Sequence, residues 1–247
     1  MIVQIYEIQT PFEAEKCLEL GADHIGCVLL SQDSWCLPAL RDVIHLTEET
    51  GAKSSLIPLF EQPDTIFRVL DYYKPHYIHF CSTVTGAADY RIKVEEVIRC
   101  QSELKERFPN IDIIRSIPIP QDGKTAHFSP LKIAQMLEPV SDVFLADTWL
   151  GNEPVEGFIG ITGKTGSWEL ARKLVLKSKI PVILAGGLSP ENVRAAIKKV
   201  IPAGVDSCTQ TNLVDKMGKP IRFRKDFRKV EKFVKETRTA SQEVSCP

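Results

Sequence analysis

The chain has 247 residues, with 31 basic and 32 acidic side chains and a formal net charge of −1. That length suits one large α/β domain or two small ones and can bury a substantial core. The balanced charge gives no electrostatic pull toward nucleic acid or an anionic membrane, and no apolar run approaches the ~20 residues of a membrane span. The seven cysteines, at 17, 27, 36, 81, 100, 208 and 246, are odd in number and form no Cys-x-x-Cys. Neither a disulfide framework nor a metal site is indicated. The opening MIVQIYEIQT has no basic region and no signal-peptide pattern, so a reduced, cytoplasmic protein is expected.

Along the chain, short β-rich runs alternate with helical patterns. IVQIYEI reads as a strand, and PFEAEKCLELG as a helix with Thr10 as N-cap, Pro11 at its first position and Gly21 closing it. DHIGCVLL is a second strand, followed by a helix over 37–51. SSLIPLF leads to a helix at 63–73, HYIHF to a long charged helix at 90–107, and IDIIRSIPI to a helix near 130–138. SDVFLAD leads through a glycine-rich loop to SWELARKLVLKS, and IPVILAG to SPENVRAAIKKV. AGVDSCT leads to a final helix at about 222–236, with Phe223, Phe227, Val230 and Val234 on one face. Eight strand–helix pairs imply parallel pairing with right-handed crossovers. That count in a chain of this size predicts a closed (β/α)8 TIM barrel. The barrel domain is expected over 1–237, with a polar, frayed tail at 238–247. A G-x-G-x-x-G fingerprint is absent after the first strand, which argues against a dinucleotide fold.

In such barrels the chemistry sits at the C-terminal ends of the strands. Those ends offer Tyr6, Glu7, Ser31, His79, Cys81, Arg115, Ser116, Asp147, Thr148, Gly186, Gly187, Asp206 and Cys208. The loop GFIGITGKTGS, from Gly157 to Ser167, ends like a P-loop, but the glycine that motif requires falls on Phe158. A nucleotide-hydrolysis site is therefore not expected. Glycines still let backbone N–H groups approach an anion. LAGGLSPENV exposes the amides of Gly186 and Gly187 just before a helix start, and barrel enzymes often hold phosphate there.

These residues also resemble a family. LAGGLSPENVRAAI followed by PAGVD, and VFLAD before the loop Gly163-Lys164-Thr165-Gly166, are similar to phosphoribosylanthranilate isomerase. ELGADHIGCVL and IPLF extend the resemblance over most of the chain, most strongly from about 142 to 206. The resemblance implies a phosphorylated ribosylamine substrate, an internal aldose–ketose rearrangement, and no cofactor or metal. The family's acid aligns with Asp147. Phosphate binding is implied for Gly163, Thr165, Gly166, Gly186, Gly187, Cys208, Thr209 and Gln210. The family's base is a strand-1 cysteine. Here that place holds Tyr6, with Glu7 where the family has glycine. Cys81 stands at the family's strand-4 histidine position, the arginine after strand 2 is missing from SQDSW, and Thr209-Gln210 replaces a serine-glycine.

The base is thus open among Tyr6, Glu7 and Cys81. A tyrosine near its ordinary pKa is a poor base. Strand alternation turns Glu7 away from the lumen, and a reactive Cys81 needs a cation such as His79 or Arg115 beside it. Arg115 and His79 are candidate substrate or phosphate partners, Arg115 alternatively pairing with a carboxylate or Asp206, and Asp206 itself reads as structural. Three functions remain: the isomerase, a different phosphosugar isomerase, epimerase or lyase, and an inactive barrel that binds a phosphorylated metabolite as a sensor or partner subunit. The expected partner is a small phosphorylated molecule, with monomer and homodimer both open.

Overall fold

A computed structural model describes residues 1–85 and 90–245. Eight strands close a parallel barrel in chain order: β1 (Ile2–Ile5), β2 (His24–Leu29), β3 (Lys53–Pro58), β4 (Tyr77–Phe80), β5 (Asp112–Pro120), β6 (Val143–Trp149), β7 (Val182–Leu184) and β8 (Gly204–Ser207). The intervening helices are α1 (Pro11–Glu19), α2 (Pro38–Thr50), α3 (Pro63–Tyr73), α4 (Tyr90–Arg107), α5 (Pro130–Leu137), α6 (Trp168–Lys177) and α7 (Val193–Val200). A hairpin of β9 (Asn212–Val214) and β10 (Pro220–Lys225) precedes α8 (Phe227–Ser245). The expected TIM barrel is the observed fold.

Local signals place the helices. Pro opens α1, α2, α3 and α5, where its missing N–H costs no hydrogen bond. The hydroxyls of Thr10, Ser129 and Ser167 accept from the third residue inside α1, α5 and α6. The helices bury one face each against the outside of the barrel, forming the main apolar core. The lumen is filled from below by Ile114, Val143, Leu145 and Ile183, with Ile2 and Tyr77 against them. Polar layers follow upward: Gln4 Oε1 accepts from His24 Nδ1 at 3.3 Å and Gln4 Nε2 donates to Asp206 at 3.2 Å.

Two expectations at the C-terminus are corrected. Residues 220–225 form a strand, not the start of the last helix, and Phe223 takes a positive φ of 62° inside it. The turn at Asp215–Gly218 closes a hairpin, and the Asp226 carboxylate accepts from the Arg228 N–H, so α8 starts one residue later. The tail expected from 238 is helical to Ser245, because Ala240 is fully buried and Arg238 binds the barrel floor. Among the described residues no helix is long and apolar enough to cross a membrane.

Candidate active site

The register of the strands aims alternate side chains into the lumen. Tyr6 follows β1 and points inward. Gly26 of β2 makes room for its ring, since a Cβ there would lie 2.1 Å from it. The Tyr6 hydroxyl contacts the Ser55 hydroxyl and lies 2.8 Å from His79 Nδ1. His79 Nε2 lies 2.9 Å from Ser116 Oγ. All four residues are buried. Burial drives the Tyr6 phenol well above its usual value, and burial with the Arg115 charge drives His79 down to about 3. This chain is a neutral plug in the upper lumen.

Above the plug, the segment between β6 and α6 crosses the barrel mouth. The Thr83 N–H donates to the Gly157 carbonyl at 2.8 Å and the Ile159 N–H to the Cys81 carbonyl at 2.7 Å, tying the loop to the end of β4. Ile159 is buried beneath it, and Ile161 adopts φ 59°, a costly conformation for a β-branched residue. Two small cavities lie under this loop. The deeper one, about 50 Å³, is lined by Tyr6, Cys81, Asp147, Asp206 and Cys208 with an apolar wall of Val28, Ile57 and Leu59. The other, about 30 Å³, is lined by Gly163, Gly186, Gly187, Thr209 and Gln210, and again by Asp147, Asp206 and Cys208.

Asp147 and Asp206 therefore stand between the two cavities. Burial pushes the Asp147 carboxyl up to about 6, against the opposing pull of the Thr148 N–H on its Oδ1. Burial and then the Asp147 charge push Asp206 up to about 8. Two such carboxyls titrate as a unit and hold one proton between them across that interval. Asp206, read from sequence as structural, thus lines both mouth cavities beside Asp147. Its signal was the alternation of Gly204, Asp206 and Cys208, which puts Asp206 on the same side as Cys208.

The second cavity is a cradle of backbone amides, a lining suited to an anion. Gly186 and Gly187 hold φ of 83° and 59°, and a Cβ on Gly187 would meet the Lys164 backbone at 2.6 Å. The amides of Gly163, Gly186 and Gly187 have no acceptor among the described residues. Gln210 Nε2 donates to the Gly163 carbonyl at 2.8 Å, which fixes the loop beside them. No Lys or Arg lines either cavity among the described residues. The nearest buried cation, unmarked in the sequence reading, is Lys225, whose Nζ donates to the Cys208 carbonyl at 2.9 Å from behind.

Several sequence candidates lie elsewhere. Glu7 turns out of the lumen, where its carboxylate accepts from Asn212 Nδ2 at 3.0 Å and pairs with Arg222 at 2.7 Å. The Asn212 hydrogen bond and the Arg222 charge outweigh its burial and hold its pKa below the usual value, so it is a committed anion. Arg115 sits in the first half of β5 on the outer face, hydrogen-bonded to the Ser82 carbonyl and hydroxyl, away from Asp206 and the cradle. Cys81 faces the deep cavity, but burial and the Asp147 charge push its thiol up to about 12. Neither His79, held neutral, nor Arg115 overcomes that. Burial likewise carries the Cys208 thiol far above its usual range. Thr165 accepts from Gln121 through its carbonyl, and Gly166 packs on the Ile119 carbonyl, so both support the loop from outside the cradle.

The profile of the family "N-(5'phosphoribosyl)anthranilate (PRA) isomerase" matches residues 100–236. The N-(5'-phosphoribosyl)anthranilate isomerase of Methanosarcina acetivorans is 33% identical over 141 residues, and the match spans about half the length of each chain, 56%. That of Methanopyrus kandleri is 30% identical over 209 residues, covering 83% of this chain and 87% of the relative. The solved N-(5'-phosphoribosyl)anthranilate isomerase of Pyrococcus furiosus superposes with a TM-score of 0.66 at 23% identity, covering 97% of this chain and 99% of that one, a likeness of fold. With a profile match over more than half of its length and a relative 30% identical over 83% of it, the chain belongs to the N-(5'-phosphoribosyl)anthranilate isomerase family.

Proposed function

We propose that the protein is a phosphoribosylanthranilate isomerase acting in the cytoplasm, in which the carboxyl pair Asp147–Asp206 supplies the proton transfers. The carrying observation is that this pair lines both cavities, between an amide-built anion cradle and an apolar hollow. The substrate's phosphate would take the free amides of Gly163, Gly186 and Gly187, helped by the N-terminus of α7. Its ribose would lie across the two carboxyls, and its aromatic ring would enter the side lined by Val28, Ile57 and Leu59.

The rearrangement needs an acid at the ring oxygen and a base at C2. In the free protein at neutral pH the pair's one proton rests on Asp206, so it would have to pass to Asp147 before Asp147 gives it to the ring oxygen, breaking the C1–O bond and leaving an iminium. Asp206, ionised by that transfer, would take the C2 proton, and the electrons of that C–H bond would neutralise the iminium as an enolamine. Tautomerisation gives the aminodeoxyketose. Tyr6, Cys81 and Cys208 hold their protons far above neutral pH, so the carboxyl pair is the lumen group that exchanges protons at pH 7. The cavities are small for this substrate, so the loop carrying Ile159 and Ile161 has to swing aside for entry, a gating step of a familiar kind.

The test follows the fluorescence loss of phosphoribosylanthranilate generated in situ. Wild type is expected to turn it over, with Asp147→Asn and Asp206→Asn each slower by about 10²–10⁴-fold. No turnover by pure, folded wild type would sink the proposal and leave the same cradle holding a different phosphorylated ligand. Full activity in Asp206→Asn would remove Asp206 from the mechanism.

A further inference from the structure

One layer of the lumen, just below the carboxyl pair, is set by strand register. Gln4 of β1 pairs with Asp206 of β8 on one side and with His24 of β2 on the other. All three side chains are buried, Gln4 completely. They form one chain of hydrogen bonds: His24 Nδ1 donates to Gln4 Oε1 at 3.3 Å, and Gln4 Nε2 donates to Asp206 Oδ1 at 3.2 Å. Asp206 lines both mouth cavities, whereas Gln4 lines neither. Gln4 therefore acts on Asp206 from beneath and has no face of its own toward a substrate.

The chain has a fixed sense. Oε1 carries no hydrogen, so His24 Nδ1 has to be the donor. Burial holds the imidazole down at about 4, so near neutral pH it is uncharged and has one ring proton, spent on Gln4. The ring packs on Tyr77, with centres 5.3 Å apart. With Oε1 committed to His24, the amide's NH₂ group faces Asp206. Flipped, the amide would set its NH₂ against the His24 N–H and offer Asp206 an acceptor instead. An N–H donor stabilises the carboxylate, whereas an acceptor stabilises the protonated acid. The two oxygens of Asp206 are also told apart. Oδ1 is held by Gln4, while Oδ2 has no hydrogen bond among the described residues and is not one of the sealed polar atoms. The free oxygen is thus the one presented to the mouth.

We infer that Gln4, locked by His24, is the positioning residue of Asp206: it turns Oδ2 toward the substrate and favours the carboxylate form that accepts the C2 proton. This rests on the isomerase reading above, in which Asp206 first yields its proton to Asp147. The other groups that face Asp206 are Asp147 on β6, Lys225 on β10, and the protonated Tyr6 and Cys208. Those near His24 are Asp23, Lys53 and His76. Neither Gln4→Met nor His24→Phe alters any of them.

Those two variants make the test. Gln4→Met keeps the length of the side chain and loses the donor; His24→Phe keeps a ring against Tyr77 and leaves Gln4 in place. Asp206 is titrated without substrate, through the infrared carbonyl band of its protonated carboxyl, identified by subtracting the spectrum of Asp206→Asn. The midpoint, about 8 in wild type, should rise by about one unit in Gln4→Met, a tenfold tighter hold on the proton. In His24→Phe it should rise by less. In turnover, kcat of Gln4→Met should fall about tenfold with KM unchanged, and the upper limb of the pH profile should move up with the midpoint. A residue that merely packs the lumen would lower the melting temperature and leave midpoint and limb where they are. That result in Gln4→Met overturns the inference, and an unmoved midpoint in His24→Phe removes the histidine from it. Absence of turnover by wild type falls instead on the isomerase reading, since the carboxyl titration needs no substrate.

Discussion

Tyr6 organises the upper lumen around its ring and hydroxyl. Its ring needs the space that Gly26 leaves, its hydroxyl needs Ser55 and His79, and His79 needs Ser116. The set is mutually dependent, so Gly26→Ala should cost about 1–3 kcal/mol of overpacking. The same change should be nearly neutral in a Tyr6→Cys background, and a double-mutant cycle by denaturant melts checks this. If Gly26→Ala costs as much without the tyrosine, the ring is not what the glycine accommodates. The carboxyl pair makes a pH argument at the same scale. An unfolded Asp gives up its proton near 3.8, whereas folded Asp206 keeps it up to about 8. In that window the folded state holds the extra proton, so this residue's contribution to stability falls as pH rises. Asp206→Asn removes the fall while keeping an acceptor for Gln4. The variant should melt above wild type near pH 8, with the advantage gone near pH 4. Activity should follow a bell with limbs near 6 and 8, the values of the pair.

The hairpin of β9 and β10 holds Glu7, whose carboxylate is buried while Arg222, its ion partner, is 38% exposed. Removing Arg222 leaves the buried charge with Asn212 and costs about 1–2 kcal/mol, near the low end for a charged hydrogen bond because the arginine is partly in water. The Glu7 pKa is held below its ordinary value, so the pair's stabilisation is present in full above the ordinary value and is lost as pH falls from there through the lower folded value. Arg222→Met should therefore lower the melting temperature at neutral pH and narrow the gap to wild type in acid. An equal gap at both would show that the arginine acts through packing alone. This element also marks the limit of what the sequence discloses. The prolines and hydroxyl caps that open the helices act locally, and so the eight strand–helix pairs are legible. IRFRK is both an alternating strand and the tip of an apolar helical stripe with Phe227, Val230 and Val234, and local pattern cannot separate the two. Its strand character comes from the Asp215–Gly218 turn and from the distant Glu7. Asp147 and the cradle glycines are legible because each lies at a strand end in a distinctive string. Arg115 misleads because β5 runs on to Pro120, leaving residue 115 low in the strand, and because alternation with the inward Ile114 and Ser116 turns it to the outer face.

The two ends of the barrel do different work, and the C-terminal half of α8 lies at the end away from the candidate site. Its residue Arg238 donates to the Gly21 carbonyl at 2.9 Å and the Asp23 carboxylate at 2.8 Å, and also to the Met1 carbonyl. Asp23 in turn accepts from the Val3 N–H at 2.7 Å. One guanidinium thus ties the last helix to the start of β1 and the end of α1, where the first and last elements of the closed barrel meet. Both β1–β8 pairing and barrel closure depend on that seam. The site lies at the opposite rim, and residues at the N-terminal face of such barrels serve stability. Arg238→Ala should cost about 1–2 kcal/mol, discounted because both side chains are partly exposed, which lowers Tm by roughly 2–8 °C for a chain of this size. Ending the chain after Thr237 also removes the buried Ala240 and the Glu243 partner of Arg194 and Lys198, so its Tm should fall further. In both variants kcat and KM below the melting range should match wild type. Thermal melts and turnover on the same preparations decide it: a lowered kcat at unchanged Tm would mean that the floor and the mouth of the barrel are coupled rather than separate.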